Sequence, residues 1–302
     1  ISYIIDIYRG SLKPTNSILQ YGLFVAFFPT LVAGPILRAS DFLPQLNEKV
    51  SNLKSQLRLR QFFIHSKNLK LGITLMSIGF LKKLFFADNI APMVDNVFNS
   101  PIGHESFTII LGTIGFGLQV YGDFSGYSDI AIGAALIIGI NVPPNFRKPF
   151  FSTSPSDFWR RWHISLSTWV RDYLYFPLIF KNRKSSKRLF SSLFTSFFLL
   201  GLWHGAGWNF IIFGVIHGVY VAVDTIIRKK FPIFSKSKFF RTKIGKIVSI
   251  LITQFLIFFA FIAFRVRDID DMVYSMEKYV IWDLKTEGTI NFIQQNEFSI
   301  IL

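Results

Sequence analysis

His204 interrupts an otherwise apolar run, LLGLWHGAGWNFIIFGVIHG from Leu199. A histidine at membrane depth is costly to place, so it marks either a functional site or a hydrogen bond between packed helices. A neutral imidazole takes a proton from a hydroxyl, which is what general-base catalysis requires. Gly205 and Gly207 follow it and would let a second molecule approach the backbone. Trp203 and Asn209 flank the histidine and are candidate substrate contacts. His217 lies further along, on a fresh apolar helix, where a structural role is the simpler expectation.

A second stretch, STSPSDFWRRWHISLSTWVRDYLYFPL from Ser152, is too charged to span a bilayer and too apolar for a solvated loop. Ser154, Pro155 and Asp157 have the form of a helix start, with Pro at the first helical position and an acidic residue at the third. The helix is expected to begin at about residue 155 and to run past Arg171. Phe158, Trp162, Ser165 and Trp169 then share one stripe, and Arg160, Ser167 and Arg171 another. The aromatic stripe suits a membrane interface. The Arg stripe suits lipid phosphates or an anionic substrate, because guanidinium forks match phosphate and carboxylate. His163 sits among them as a second candidate catalytic histidine, and Asp123 and Asp129 are further polar candidates.

Other chemistries are excluded or unsupported. The chain has no Cys, which rules out disulfides, Cys-ligated metals and a thioester formed on the protein. Its sequence contains no paired histidines at metal spacing, no Gly-rich phosphate loop and no Ser-centred nucleophile elbow, so neither a metal nor a bound cofactor is expected. The net charge is +15, but the basic residues are gathered in short stretches at about 49 to 70, 181 to 188 and 228 to 246. That pattern fits the positive-inside rule, with these stretches cytoplasmic, better than the continuous stripe a nucleic acid would need.

The elements that position these residues must themselves be apolar. Of 302 residues 51% are hydrophobic, Phe alone numbers 36, and the mean hydropathy is +0.40. Those values place the chain among multi-pass membrane proteins, in contact with lipid. Runs near the roughly 20 residues needed for one crossing lie at about 18 to 34, 71 to 91, 106 to 122, 127 to 140, 189 to 203, 208 to 227 and 246 to 265. They give an all-α bundle of roughly six to eight embedded helices. Lys82 and Lys83 interrupt the second run, and Gly122, Asp123 and Gly126 are expected to break the third from the fourth. Such interruptions are tolerated where they are buried in protein or line a wet cavity. A single domain over 1–302 is expected. Both ends lie in apolar sequence, which suggests a piece of a longer bundle.

Five segments resemble the membrane-bound O-acyltransferase family, in particular its bacterial alginate O-acetyltransferase branch. They are YIIDIYRG from Tyr3, FFPTLVAGPILRASDFLPQL from Phe27, QVYGDFSGYSDIAIGAALIIGI from Gln119, NFRKPFFSTSPSDFWRRWHISLSTWVRDYLYFPL from Asn145 and GLWHGAGWNFIIFGVIHG from Gly201. The resemblance implies that His204 is the family's catalytic histidine, in a Trp-His-Gly motif, and that His163 is its second histidine, in an Arg-Trp-His motif. It implies a helix bundle around a central tunnel in the bacterial inner membrane. An acyl thioester, acetyl-CoA first among candidates, would be the donor, with Arg160 and Arg171 holding its phosphates. The acceptor would be an exported polysaccharide, alginate-like or peptidoglycan, or a periplasmic partner acetyltransferase. D-alanyl transfer to teichoic acid is the nearer alternative within the family, and a polysaccharide transporter or flippase is the rival outside it. The stretch KNRKSSKR from Lys181 lacks the glycines usual in the family at that point.

Overall fold

The computed structural model of the chain describes residues 1–56, 66–180, 185–231 and 238–302. These residues form helices and no strand, as the composition requires. In chain order the α-helices are α1 (Ser2–Tyr8), α2 (Ile18–Val25), α3 (Ala39–Gln56), α4 (Ser66–Phe80), α5 (Asp88–Phe98), α6 (Ser106–Ile138), α7 (Pro155–Trp159), α8 (Ile164–Val170), α9 (Phe176–Ile179), α10 (Ser186–His204), α11 (Trp208–Lys230), α12 (Lys238–Arg241), α13 (Lys243–Arg265), α14 (Ile269–Val280), α15 (Glu287–Gln295) and α16 (Glu297–Ile301).

Among the described residues, α6, α11 and α13 are long and apolar enough to cross a membrane. That is fewer than the sequence suggested, for local reasons. The run at 18 to 34 stops being α-helical after Val25: Phe27 is extended, and a short 3₁₀ helix at Phe28–Thr30, with Pro29 in its first turn, follows. The run at 71 to 91 widens into a π-helical turn over Leu81–Ala87, which carries Lys82 and Lys83. The expected break at Gly122, Asp123 and Gly126 is absent: α6 runs unbroken for 33 residues. Parts of the three basic stretches, at 57–65, 181–184 and 232–237, lie outside the described residues.

Contacts group the chain into two compact units. The first comprises Ile1–Phe85, Gly122–Asn145 and His163–Leu166. Here α4 and the second half of α6 interlock through glycines: Gly72 faces Gly133, and Gly79 faces Gly126, so closely that a methyl on any of the four would overlap a carbonyl of the facing helix. Small residues on both faces give van der Waals contact between backbones, the usual way helices associate in lipid. That fit explains why α6 does not break, since the packing outweighs the roughly 1 kcal/mol that an interior Gly costs a helix. It also sets Lys82 against Asp129 at 2.6 Å and Lys83 against Asp123 at 2.8 Å.

The second unit comprises Phe86–Tyr121, Phe146–Trp162 and Ser167–Leu302. Its centre is the antiparallel pair α10 and α11. Gly201 and Gly214 oppose one another, and a methyl on Gly201 would collide with the carbonyl of Phe210. The close approach leaves a connection of only Gly205, Ala206 and Gly207 between the helices. α13 packs beside α11 and brings Phe264 against Phe210 and Phe213.

Candidate active site

His204 is the last residue of α10, so its imidazole stands where the helix ends and the Gly205 backbone turns extended. Four rings surround it. Trp203 lies 5.0 Å away, Phe264 of α13 at 5.1 Å, Phe213 at 6.0 Å and Phe210 at 6.2 Å, all between ring centroids. Phe213 is buried, whereas His204, Phe210 and Phe264 keep partial exposure. Phe210 lies roughly parallel to the imidazole, Phe213 and Phe264 stand edge-on to it, and the imidazole keeps partial exposure. Trp203 is 62% exposed, so it borders the site without closing it. No hydrogen bond to the His204 side chain occurs among the described residues, which leaves both ring nitrogens to a ligand.

Asn209 begins α11 and is almost wholly buried at 3% exposure. Its amide nitrogen has no partner, and its oxygen fills the space a side chain at Gly207 would need. The Gly207 backbone is ordinary and extended, so a side chain there would be opposed by the asparagine and not by the turn.

His217 makes the kind of structural hydrogen bond between helices that the sequence suggested for it. It is completely buried, and its Nδ1 accepts a hydrogen bond from the Trp159 indole at 3.2 Å. An Nδ1 that accepts leaves the proton of a neutral imidazole on Nε2, and that Nε2 has no partner. Phe213 packs on His217 at 4.5 Å and on His204 from another side, so one ring is shared by both histidines. The signal in the sequence was the indole: a buried Trp N–H needs an acceptor, and among apolar helices few are available.

The segment around His163 departs from the single helix expected. Ser154 does cap α7, accepting from the Asp157 N–H at 3.1 Å, with Pro155 at the first helical position, as read from the sequence. The helix then stops after Trp159 and restarts as α8 at Ile164. His163 lies in the gap with φ +42°, a left-handed backbone uncommon outside glycine. The reason is a tertiary competitor for the helical hydrogen bonds. The Ile164 N–H donates to the carbonyl of Asn145, and Ser165 donates to the Asn145 side chain from both its N–H and its hydroxyl, at 3.2 and 2.7 Å. Asn145, in turn, donates to Ser128 at 3.3 Å, and Ser165 Oγ accepts from the Ile36 N–H. The His163 ring meets Phe124 edge-on at 4.6 Å and is 7% exposed. Asn145 was not singled out from sequence, because nothing local marks it.

The break also dissolves the Arg stripe. Arg160 and Arg161 both pair with Asp157, at 3.3 and 3.1 Å, while Arg171 forms a fork with its neighbour Asp172. Arg160 and Arg171 nevertheless remain exposed. For Asp157, burial opposes ionisation, but the hydrogen bonds from Arg161 and the Thr153 N–H and the two Arg charges outweigh it and hold the carboxyl below its ordinary range. Ser167 turns back to the Trp162 carbonyl at 3.1 Å. Asp123 is engaged by Lys83, so it serves the α4–α6 pair.

A continuous sequence match over residues 11–266, spanning both candidate histidines, is to the family described as MBOAT, membrane-bound O-acyltransferase family. The chain belongs to the membrane-bound O-acyltransferase family. Within it, the chain is 43% identical over 230 residues to a probable alginate O-acetylase, AlgI, of Azotobacter vinelandii, covering 76% of this chain and 43% of that protein. It is 36% identical over 252 residues to the peptidoglycan O-acetyltransferase of Helicobacter pylori, covering 83% and 45%. Identity to the teichoic acid D-alanyltransferase of Bacillus subtilis is 32% over 241 residues, covering 76% and 57%. The chain thus spans about half the length of these membrane-bound O-acyltransferases or less.

Proposed function

We propose that this chain forms the core of a multi-pass membrane O-acyltransferase of the bacterial inner membrane. It would move a short acyl group, acetyl foremost, from a thioester donor such as acetyl-CoA to hydroxyls of an exported cell-envelope polysaccharide, or to a periplasmic partner transferase. The observation that carries this reading is His204: an imidazole with no hydrogen bond among the described residues, at a helix end, partly exposed among apolar rings. The names of the relatives support acyl transfer to envelope polymers.

In the proposed reaction His204 accepts the proton of the acceptor hydroxyl as its oxygen forms a bond to the thioester carbonyl carbon. The tetrahedral adduct collapses with cleavage of the carbon–sulfur bond, and the imidazolium returns the proton to the departing thiolate. General-base assistance contributes roughly 10²- to 10⁴-fold, so holding donor and hydroxyl together supplies much of the remainder. The exposed guanidinium edges of Arg160 and Arg171 suit donor phosphates. The left-handed turn at His163 is the kind of strained backbone that collects at functional sites, in keeping with a role in orienting a substrate.

Ester content of exported and envelope polysaccharide decides the matter, measured with the full-length protein and with His204→Ala at equal membrane abundance. Loss of O-acetyl groups with polymer still exported is the expected result. Loss of D-alanyl esters would redirect the reading to the teichoic acid relatives, and unchanged esters would overturn it.

A further inference from the structure

Arg147 and Lys148, upstream of the His163 segment, are both exposed, and their side chains have no partner among the described residues. The Arg147 N–H donates to the carbonyl of Arg161 at 2.9 Å, so this stretch runs beside Arg160 and Arg161. Four cationic residues thus lie within one residue of a single backbone hydrogen bond, and Asp157 is the only carboxylate in the chain between Asn145 and His163. Asp157 orients Arg160 and Arg161 but occupies only part of each guanidinium fork.

Lys148 is held at φ +48°, a left-handed backbone, and it precedes Pro149, which favours extended backbone at the residue before it. The conformation is imposed from both sides. Arg147 is tied to Arg161, and the Lys148 carbonyl accepts from the Phe151 N–H at 3.2 Å, opening the 3₁₀ turn Pro149–Phe151. A turn that only had to be made would be served better by glycine. A solvent-facing lysine kept there despite the strain indicates that its ammonium is used, because such strain collects at functional sites. The surroundings indicate for what. Ser156 of α7 donates its N–H to Asp224 at 3.4 Å, and Asp224 pairs with Arg228 at 2.7 Å. α7 therefore begins towards the end of α11 that carries Arg228, Lys229 and Lys230, the end that the positive-inside rule places in the cytoplasm. Guanidinium forks and a lysine point charge are the groups that suit phosphate.

We propose that Arg147 and Lys148, together with Arg160 and Arg161, form the site that binds the phosphate groups of the thioester donor. This rests on the reading of the chain as an acyltransferase that uses a donor of the coenzyme A kind.

The test uses purified full-length protein in phosphatidylcholine vesicles and two donors with the same thioester, acetyl-coenzyme A and acetyl-pantetheine, the second of which has no phosphate. Lys148→Gly and Arg147→Gln are each expected to raise the KM of acetyl-coenzyme A relative to that of acetyl-pantetheine by about 10-fold, the effect of losing one charge-assisted contact. Lys148→Gly should also hold or raise the unfolding midpoint, since it releases the left-handed strain. Lys243→Gln, which removes an exposed charge at the start of α13, should leave the ratio unchanged. An unchanged ratio in both Lys148→Gly and Arg147→Gln overturns the site, and an equal rise in Lys243→Gln replaces it with a general positive field. A shift that occurs only when phosphatidylglycerol replaces phosphatidylcholine gives these cations to a lipid headgroup and overturns the donor assignment. If the wild-type protein transfers acetyl from neither donor, the acyltransferase reading fails instead. Binding of free coenzyme A then decides the site alone: about 10-fold weaker binding by Lys148→Gly upholds it, and equal binding overturns it.

Discussion

The imidazole of His204 is surrounded by aromatic carbon and takes no hydrogen bond from the described protein, whereas His163 occupies a backbone gap fastened by the Asn145, Ser128 and Ser165 groups. One site is kept chemically free and the other is held conformationally. The contrast fits the role proposed for each position. A base needs an unoccupied nitrogen and an apolar surround that gives it no alternative partner. A residue in left-handed backbone needs its neighbours' amides satisfied elsewhere, or the helix would simply continue through it.

The contrast breaks most severely at Asn145. Asn145→Ala leaves the Ser165 and Ser128 hydroxyls and the Ser165 N–H without their partner, at about 1–3 kcal/mol for each buried group left unsatisfied. Purified protein is expected to show a clearly lowered unfolding midpoint, while His204→Ala, which loses ring packing but severs no hydrogen bond among the described residues, should lower it less. If both variants unfold at the same temperature, the distinction between a free and a fastened site is wrong.

A smaller effect sharpens the same comparison at His163. Glycine enters left-handed backbone without the roughly 1–2 kcal/mol penalty of other residues, so His163→Gly recovers part of what loss of the buried ring against Phe124 costs and should be less destabilised than His163→Ala. Ester formation should nevertheless fall. Full activity in the glycine variant at equal folded abundance would reduce His163 to a turn residue.

The smallest expected effect concerns α7, which leads into that turn. The Asp157 carboxyl is depressed in the folded protein, so its contribution is present above the ordinary carboxylate pKa and is lost as pH falls through the lower folded value. The unfolding midpoint should therefore include a decline below about pH 4 that Asp157→Asn reduces. An identical acid profile for the two proteins would mean that the Arg161 pairing contributes nothing.

Much of this was legible along the chain because the relevant physics is local. Ser154, Pro155 and Asp157 fixed the start of α7, and a Trp-His-Gly between two apolar runs marked His204. Composition alone required helices. What failed were inferences about where helices end in their middles. Gly122, Asp123 and Gly126 looked like a break and are not one, because Gly79 fits against Gly126 and Lys83 meets Asp123. The stretch from Ser154 to Arg171 looked like one helix and is interrupted, because Asn145 captures the amides that would have continued it.

The sequence by itself determined the fold class and the family, and it marked His204 as a candidate, since hydropathy, caps and a motif of adjacent residues are all short-range properties. Only the tertiary structure decided that His217 serves Trp159, that three phenyl rings enclose His204, and that His163 stands in a turn. Each of these depends on which distant side chain arrives with a hydrogen-bonding group or a surface of matching shape, and sequence spacing does not encode that encounter.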